Sequence, residues 1–279
     1  MTGEPCRATG PSPRFLVVGC PVAHSLSPVM MAAAFRAAGV PGEYAAREIP
    51  PSSWPDAMDD LFLEGIAGIN VTVPHKEGAL AGAATASAEA RAIGAANTLV
   101  RADHGWHAEN TDAPGFLDWV READGGDLLR EDALVLGAGG SARAVVVALL
   151  RANCPRVWIA NRTRPRAEQL ANALGAERVS VVERDDASPQ GLVVNCTALG
   201  MHPADALPLA AGSLAGAGLV MDLVYPETNL VRAAREAGVA AHDGSGLLVA
   251  QGARSFQLWT GFTADRRAMR EAVEAARHG

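Results

Sequence analysis

The chain has 279 residues, a formal net charge of −7, 49% hydrophobic and 20% charged residues, and 29 glycines. This balance excludes a disordered chain and a surface built for nucleic acid or anionic membrane, and the length suits one large or two medium domains. Four cysteines without Cys-x-x-Cys spacing point to a reducing compartment, the cytoplasm, and no apolar run reaches the roughly 18 residues a membrane span needs.

Residues 1–13, rich in Pro, Gly and Ser, read as a flexible leader. The run from Arg14 to Gly19 reads as a short buried strand. Ser25-Leu26-Ser27-Pro28 follows, with Ser27 as N-cap and Pro28 as first residue of a helix over Val29–Ala38. The two serines serve as caps and turns, or present hydroxyls to a polyol or carboxylate. A strand near Tyr44–Ile49 and a helix near Ser53–Glu64 lead to a second apolar strand, Gly68–Val73. Asn70 and Thr72 share one face of it, against Ile69, Val71 and Val73 on the other.

Pro74 suits the first turn of a helix, which places Lys76 at a strand-to-helix corner. An ammonium there faces the positive end of the macrodipole, a setting for proton transfer, although a solvated surface lysine is the commoner case. After a stretch of small residues, Ile93–Val100 leads into a strand, Asp103-His104 turns it, and Trp106–Ala108 pairs back. The hairpin ends at Glu109-Asn110-Thr111-Asp112, where Asp112 caps a helix unless it lies beside Lys76. His104, His107 and Glu109 are close in sequence but lack metal-ligand spacing, so no metal is predicted. The β-α-β-α-β order argues a mostly parallel open sheet flanked by helices.

A second α/β pattern starts at Asp132. The strand Ala133–Leu136 runs into Gly137-Ala138-Gly139-Gly140-Ser141 and a helix over Ala144–Arg151. Gly-x-Gly-x-x-Ala between strand and helix is the dinucleotide fingerprint in its required context: glycine lets backbone N–H groups approach a pyrophosphate at the helix N-terminus. The next strand, Arg156–Ala160, ends in Asn161-Arg162-Thr163-Arg164-Pro165-Arg166, where an NAD site would show a carboxylate. Guanidinium forks suit a 2′-phosphate, so Arg162 and Arg166 favour NADP; the alternative is a set of arginines opening a solvated helix. Strands at Gly191–Asn195 and Leu219–Leu223 end toward the same crevice, which places Thr197, Leu223 and, at the start of the last helical region, Gly244 on the cofactor side. An amphipathic helix over Val249–Thr260 turns Val249, Ala253, Phe256 and Trp259 inward and leaves Gln251 off that stripe, usually a surface position. A final helix spans Ala264–Arg277.

Taken in order, Ser25–Pro28, Asn70–Lys76, Gly94–Thr98, Asn110–Asp112, the Gly137 loop, Asn161–Thr163, Asn195–Thr197, Asp222–Tyr225 and Gln251 resemble the shikimate dehydrogenase family over about residues 14–262. The resemblance implies an α/β substrate domain, residues 14–124 completed by helices from 244–279, and a doubly wound, Rossmann-type NADP domain over 125–243. It implies NADP-dependent reduction of 3-dehydroshikimate to shikimate in a monomer or homodimer. The positions matching Lys76 and Asp112 are the family's catalytic pair, and those matching Ser25, Ser27, Asn70, Thr72, Asn97, Tyr225 and Gln251 hold the ring's carboxylate and hydroxyls. Met31-Ala32, Glu109, Ala113, Leu247 and a short loop at Tyr225–Thr228 depart from the usual pattern and leave quinate or an aminoshikimate as alternative rings. A non-catalytic NADP-binding sensor is the reading from another class.

Overall fold

The computed structural model describes residues 12–175, 177–187 and 191–278, so most of the expected leader, residues 1–11, lies outside the described residues. The first part runs β1 (Arg14–Gly19), α1 (Ser27–Ala38), β2 (Glu43–Glu48), α2 (Trp54–Leu63), β3 (Gly68–Val71), α3 (Lys76–Ala81), β4 (Thr85–Ala86), α4 (Ala88–Ile93), β5 (Thr98–Ala102), β6 (Gly105–Glu109) and α5 (Asp112–Asp124). The second runs β7 (Ala133–Leu136), α6 (Gly140–Arg151), β8 (Val157–Ala160), α7 (Arg164–Leu174), β9 (Val179–Val181), β10 (Leu192–Asn195), β11 (Leu219–Asp222), α8 (Asn229–Glu236) and β12 (Ala240–His242). Two more helices, α9 (Ser245–Thr260) and α10 (Arg266–His278), return to the first part.

The first sheet has the order β2-β1-β3-β5-β6-β4. Strands β2, β1 and β3 are parallel, while β5 runs antiparallel to β3 and β6 antiparallel to β5. The hairpin from β5 to β6 thus breaks an otherwise parallel order, as the short turn at Asp103-His104 requires. In the second sheet, β12-β11-β10-β7-β8-β9, every pairing is parallel. Its four central strands are buried at nearly every residue, which is why each reads in sequence as a plain apolar run. The order reverses at β7, between β10 and β8, the switch point at whose carboxyl ends open α/β sheets bind ligands in a crevice.

Several element boundaries fall elsewhere than the sequence suggests. Helix α1 begins at Ser27 itself, without a side-chain cap, and the Ser25 hydroxyl accepts from the Ser27 amide at 3.2 Å. Strand β3 stops at Val71, although Thr72 still donates to the Val18 carbonyl at 2.8 Å, and α3 starts at Lys76 rather than at Pro74. Helix α6 starts at Gly140, four residues early, because glycine at the strand end lets the chain turn directly into the helix. Ile93 ends α4, and the strand that the stretch Ile93–Val100 leads into, β5, begins at Thr98.

Helix α9 joins the two sheets. A Cβ at Gly115 would lie 2.9 Å from the Gln251 backbone nitrogen, so glycine in α5 is what lets α5 and α9 cross backbone to backbone. On its other side α9 packs Phe256 against Phe35 and Met269, while the Trp259 indole donates to the Leu99 carbonyl at 3.0 Å. Burial of a side chain such as Phe256 is worth about 1.5–3 kcal/mol. Surrounded in this way, α9 has no broad solvent face, and Gln251 is buried, at 9% exposure, where the amphipathic pattern placed it at the surface. Among the described residues no helix is long and apolar enough to cross a membrane.

Candidate active site

Register builds the first half of the site. Asn70 in β3 pairs with Thr98 in antiparallel β5, so the two side chains sit side by side, and the Asn70 amide donates to Thr98 Oγ1 at 3.2 Å. The same amide donates to Ser255 Oγ of α9 at 2.8 Å, and Tyr44 of β2 donates its phenol to Asn70 Oδ1 at 2.8 Å. Ser255 also meets Thr98 and Thr111 at 2.9 and 3.2 Å. These bonds hold the Asn70 side chain in one orientation within a buried polar network, with Oδ1 able to accept a second bond beside the one from Tyr44.

Next to it, Asn97 donates to Asp112 Oδ1 at 2.8 Å and accepts from the Thr111 amide at 2.7 Å. A longer contact, 3.4 Å, reaches Gln251 Oε1, while the Gln251 amide donates to Leu248 O at 2.7 Å. Asp112 is the first residue of α5 and thus near the positive end of that helix, a favourable place for a carboxylate. Its other oxygen, Oδ2, accepts from Lys76 Nζ at 2.7 Å. Lys76 and Asp112 side chains retain 12% and 11% exposure, enough to meet a small molecule. Lys76 also donates to Ser141 Oγ, in the first turn of α6, at 3.0 Å. The lysine therefore lies where the two sheets meet.

Two tyrosines close the other end. Burial raises the Tyr44 phenol well above its ordinary value, opposed by the Ser27 hydroxyl, and burial likewise raises Tyr225, opposed by the Leu26 backbone and the Ser25 hydroxyl. Both tyrosines thus remain neutral hydrogen-bonding groups beside the serine pair. Thr72 is half-buried, with its methyl where a Cβ on Gly19 would fall.

The crevice side is set by close backbone approach. Gly137 has φ +114, and a Cβ there would sit 3.1 Å from the Cys196 carbonyl, whereas a Cβ at Gly139 would meet nothing within 4 Å. The loop Gly137–Ser141 therefore presents open backbone at the N-terminus of α6, the shape and charge a pyrophosphate needs. Beyond β8, Asn161 donates to the Thr163 carbonyl at 2.8 Å and shapes the turn. Arg164 is taken by Glu168 and Glu183, but Arg162 and Arg166 are exposed and, among the described residues, pair with no carboxylate. Thr197 caps the β10 end by bonding Asn195 Oδ1 at 2.7 Å, and Gly244 lies against the Leu223 backbone, where a Cβ would be 2.2 Å from its carbonyl oxygen. The donor set fits a dinucleotide carrying an extra phosphate.

Cys196 lies in the same crevice. Burial and the Asp222 charge push its thiol up, opposed by Lys76, so it remains a thiol and no nucleophile. Asp222 is buried and accepts from Asn195, Val224 and Thr228 at 2.8, 3.0 and 2.6 Å.

Tyr44 and Ser255 escape the sequence reading, and Thr98 and Thr111 enter it only inside the family motifs, without a role of their own. Ser255 carries a signal, since it follows Gln251 by four residues and so shares its helical face, and Thr98 follows Asn97 directly. Tyr44 carries none, because its partner is set by strand order alone.

A glycine loop at a helix N-terminus, free arginines beyond the second strand, and a lysine–carboxylate pair at the junction define a dinucleotide-dependent oxidoreductase. Family models agree: the shikimate dehydrogenase substrate binding domain matches residues 17–99, shikimate / quinate 5-dehydrogenase residues 121–191, and the shikimate 5′-dehydrogenase C-terminal domain residues 244–274. The shikimate dehydrogenase (NADP(+)) of Methylobacterium radiotolerans is 45% identical over 266 residues, covering 90% of this chain and 92% of that one. Shikimate 5-dehydrogenase from Thermus thermophilus, solved with NADP(H) and shikimate, superposes with TM-score 0.85 at 40% identity, covering 95% and 99% of the two chains. The 5-ketofructose reductase of a Gluconobacter strain has the same fold, TM-score 0.82 at 27% identity over 95% and 99%. The chain belongs to the shikimate dehydrogenase family.

Proposed function

We propose that the chain catalyses the NADP-dependent, reversible reduction of 3-dehydroshikimate to shikimate, with Lys76 and Asp112 as the acid–base pair. The observation that carries this reading is the Lys76 ammonium, 2.7 Å from Asp112 at the junction between the buried amide network and the glycine loop. Residues 14–124 with 244–279 form the substrate domain and 125–243 the cofactor domain. Gly137, Ala138, Gly139, Gly140 and Ser141 hold the pyrophosphate, and Asn161, Arg162, Thr163 and Arg166 hold the adenosine end with its 2′-phosphate. Thr197, Leu223 and Gly244 flank the nicotinamide.

When bound, NADPH supplies the hydride that reduces a ring carbonyl. The chain supplies the rest. Lys76 delivers a proton to the oxygen that gains negative charge, and Asp112 fixes the ammonium and accepts from a neighbouring ring hydroxyl. Ser25, Ser27 and Tyr225 bind the ring carboxylate, while Asn70, Thr72, Asn97 and Gln251 orient ring hydroxyls. In the reverse direction the unprotonated amine takes the hydroxyl proton. The departures at Met31, Ala113 and Leu247 pack into the hydrophobic cores, which supports shikimate over a modified ring. The reading places a monomer or homodimer in the cytoplasm.

Initial rates with shikimate, quinate and aminoshikimate, each with NADP and NAD, test the reading. Shikimate with NADP is expected to give the highest kcat/KM; a higher value with quinate or aminoshikimate would reassign the ring, and inactivity with all three would leave a binding protein.

A further inference from the structure

Lys76 is the only lysine in the chain; the other 23 of its 24 basic residues are arginines. An arginine cannot give up its proton near neutral pH, so this one position keeps the side chain that can. Its stem and head are shaped by the cofactor side as well as by Asp112. A Cβ at Gly140 would lie 3.3 Å from Lys76 Cβ and 3.5 Å from Cδ, so the missing side chain makes room for the lysine stem. One residue on, Ser141 Oγ accepts from Nζ at 3.0 Å. The backbone holds the base of the side chain, with Lys76 O accepting from the Ala96 amide at 2.8 Å. Farther along the same helix faces, Arg143 lies 3.7 Å from Glu77 and Arg151 pairs with Glu89, so α6 is docked on α3 and α4.

We infer that Ser141 is a positioning residue for the reaction: from the cofactor side of the cleft, its hydroxyl holds the Lys76 ammonium in the direction set by Asp112. This rests on the reading of Lys76 as the proton donor, and gives the glycine loop a role beyond its cradle. Two acceptors about Nζ, a carboxylate and a hydroxyl, fix the direction of the remaining N–H, where one acceptor alone would let the head swing. A hydrogen bond to a charged group is strong enough for its loss to change the lysine's behaviour about tenfold.

A single ε-amine makes the test direct. The acylation rate of Lys76 is measured by peptide mapping on the full-length protein without substrate or cofactor, so the α-amine is separated by mass. Ser141→Ala is expected to raise that rate by about fivefold or more and to lower kcat about tenfold, with KM for NADP changing less than about threefold. Ser141→Thr, which keeps the hydroxyl, is expected to restore both. Glu77→Gln, which weakens the docking of α6 but does not reach Nζ, is expected to leave the acylation rate at the wild-type value. An unchanged acylation rate and kcat in Ser141→Ala with a raised KM for NADP would reduce Ser141 to the phosphate cradle. An equal effect of Glu77→Gln would assign the change to loosened docking and overturn the proposal too. Failure of the wild type to turn over shikimate would sink the function proposed above, while the acylation rates would still decide this one.

Discussion

Asn97 and Asp112 share a hydrogen bond of 2.8 Å that consumes one carboxylate oxygen and turns the other, Oδ2, toward Lys76. The direction of the ammonium therefore depends on an amide in a different element, the turn before β5. Asn97 is 2% exposed, and its carbonyl also holds the Thr111 amide at the start of α5. Asn97→Ala leaves that buried amide and Asp112 Oδ1 short of a partner, so it is expected to cost about 2 kcal/mol of stability and to lower kcat. Urea unfolding and steady-state rates check this. Wild-type stability in the variant would show that water or Gln251 takes over the bonds.

The arginines past β8 separate by partner. Arg164 is engaged by Glu168 and Glu183, whereas Arg162 and Arg166 pair with no carboxylate among the described residues and are the proposed phosphate contacts. Arg162→Ala is expected to raise KM for NADP about tenfold and leave NAD nearly unchanged, whereas Arg164→Ala is expected to leave both within about threefold. Comparison of the two variants with both cofactors decides the matter, and equal losses for NAD and NADP would remove the phosphate contact from Arg162.

Much of the architecture is legible in the chain because burial leaves one kind of trace. Leu192–Asn195 and Leu219–Asp222 are buried on both faces and so read as apolar runs, and the glycine loop reads correctly because only glycine permits φ +114 against Cys196. What fails to show is whatever depends on distant partners. Gln251 reads as a surface residue because a helical pattern reports one neighbouring face, and α9 has several. Tyr44 meets Asn70 only because β1 separates β2 from β3 in a particular order. The Lys76–Ser141 bond spans 65 positions and two sheets, beyond any local pattern. Ser27 reads as a cap, yet α1 starts at Ser27 with no side-chain cap, and the Ser25 hydroxyl accepts from the Ser27 amide in the turn before it, a boundary that propensity does not resolve.

Asp222 carries a pH signature. Burial raises its carboxyl from an ordinary 3.8 to about 6, against the opposing bonds from Thr228, Val224 and Asn195. The folded state therefore holds the proton more tightly than the unfolded chain does. Stability from this group is fully present below about pH 3.8 and is lost as pH rises through about 6. The full change is on the order of 3 kcal/mol. Asp222→Asn removes it, so the stability of the variant relative to wild type is expected to improve between pH 4 and pH 7. Urea midpoints at several pH values measure that difference, and a pH-independent difference would show that the carboxylate is stabilised by its three donors after all.

The catalytic pair makes the sharpest demand. As hydride reaches the ring carbon, the carbonyl oxygen must be protonated or strongly hydrogen-bonded, and the proposed mechanism gives that task to Lys76 at the junction of the two sheets. Lys76→Ala is expected to lower kcat by roughly 10² to 10⁴ with little change in substrate KM, since general acid–base help is worth about that much and other groups hold the ground state. Asp112→Asn keeps the size of the side chain but replaces Oδ1 or Oδ2 by an amide. The amide either faces the ammonium or disturbs the bond from Asn97, and in both cases Lys76 loses its fixed direction. Its kcat is expected to fall in the same sense. Because the two groups act as one unit, the double variant is expected to be far less than multiplicatively worse than Lys76→Ala alone. Circular dichroism and cofactor affinity confirm that each variant is folded with its glycine loop intact. Near-normal kcat in folded Lys76→Ala would leave the lysine a binding group, and the proton would have to come from solvent or from a hydroxyl of the serine–tyrosine end of the site.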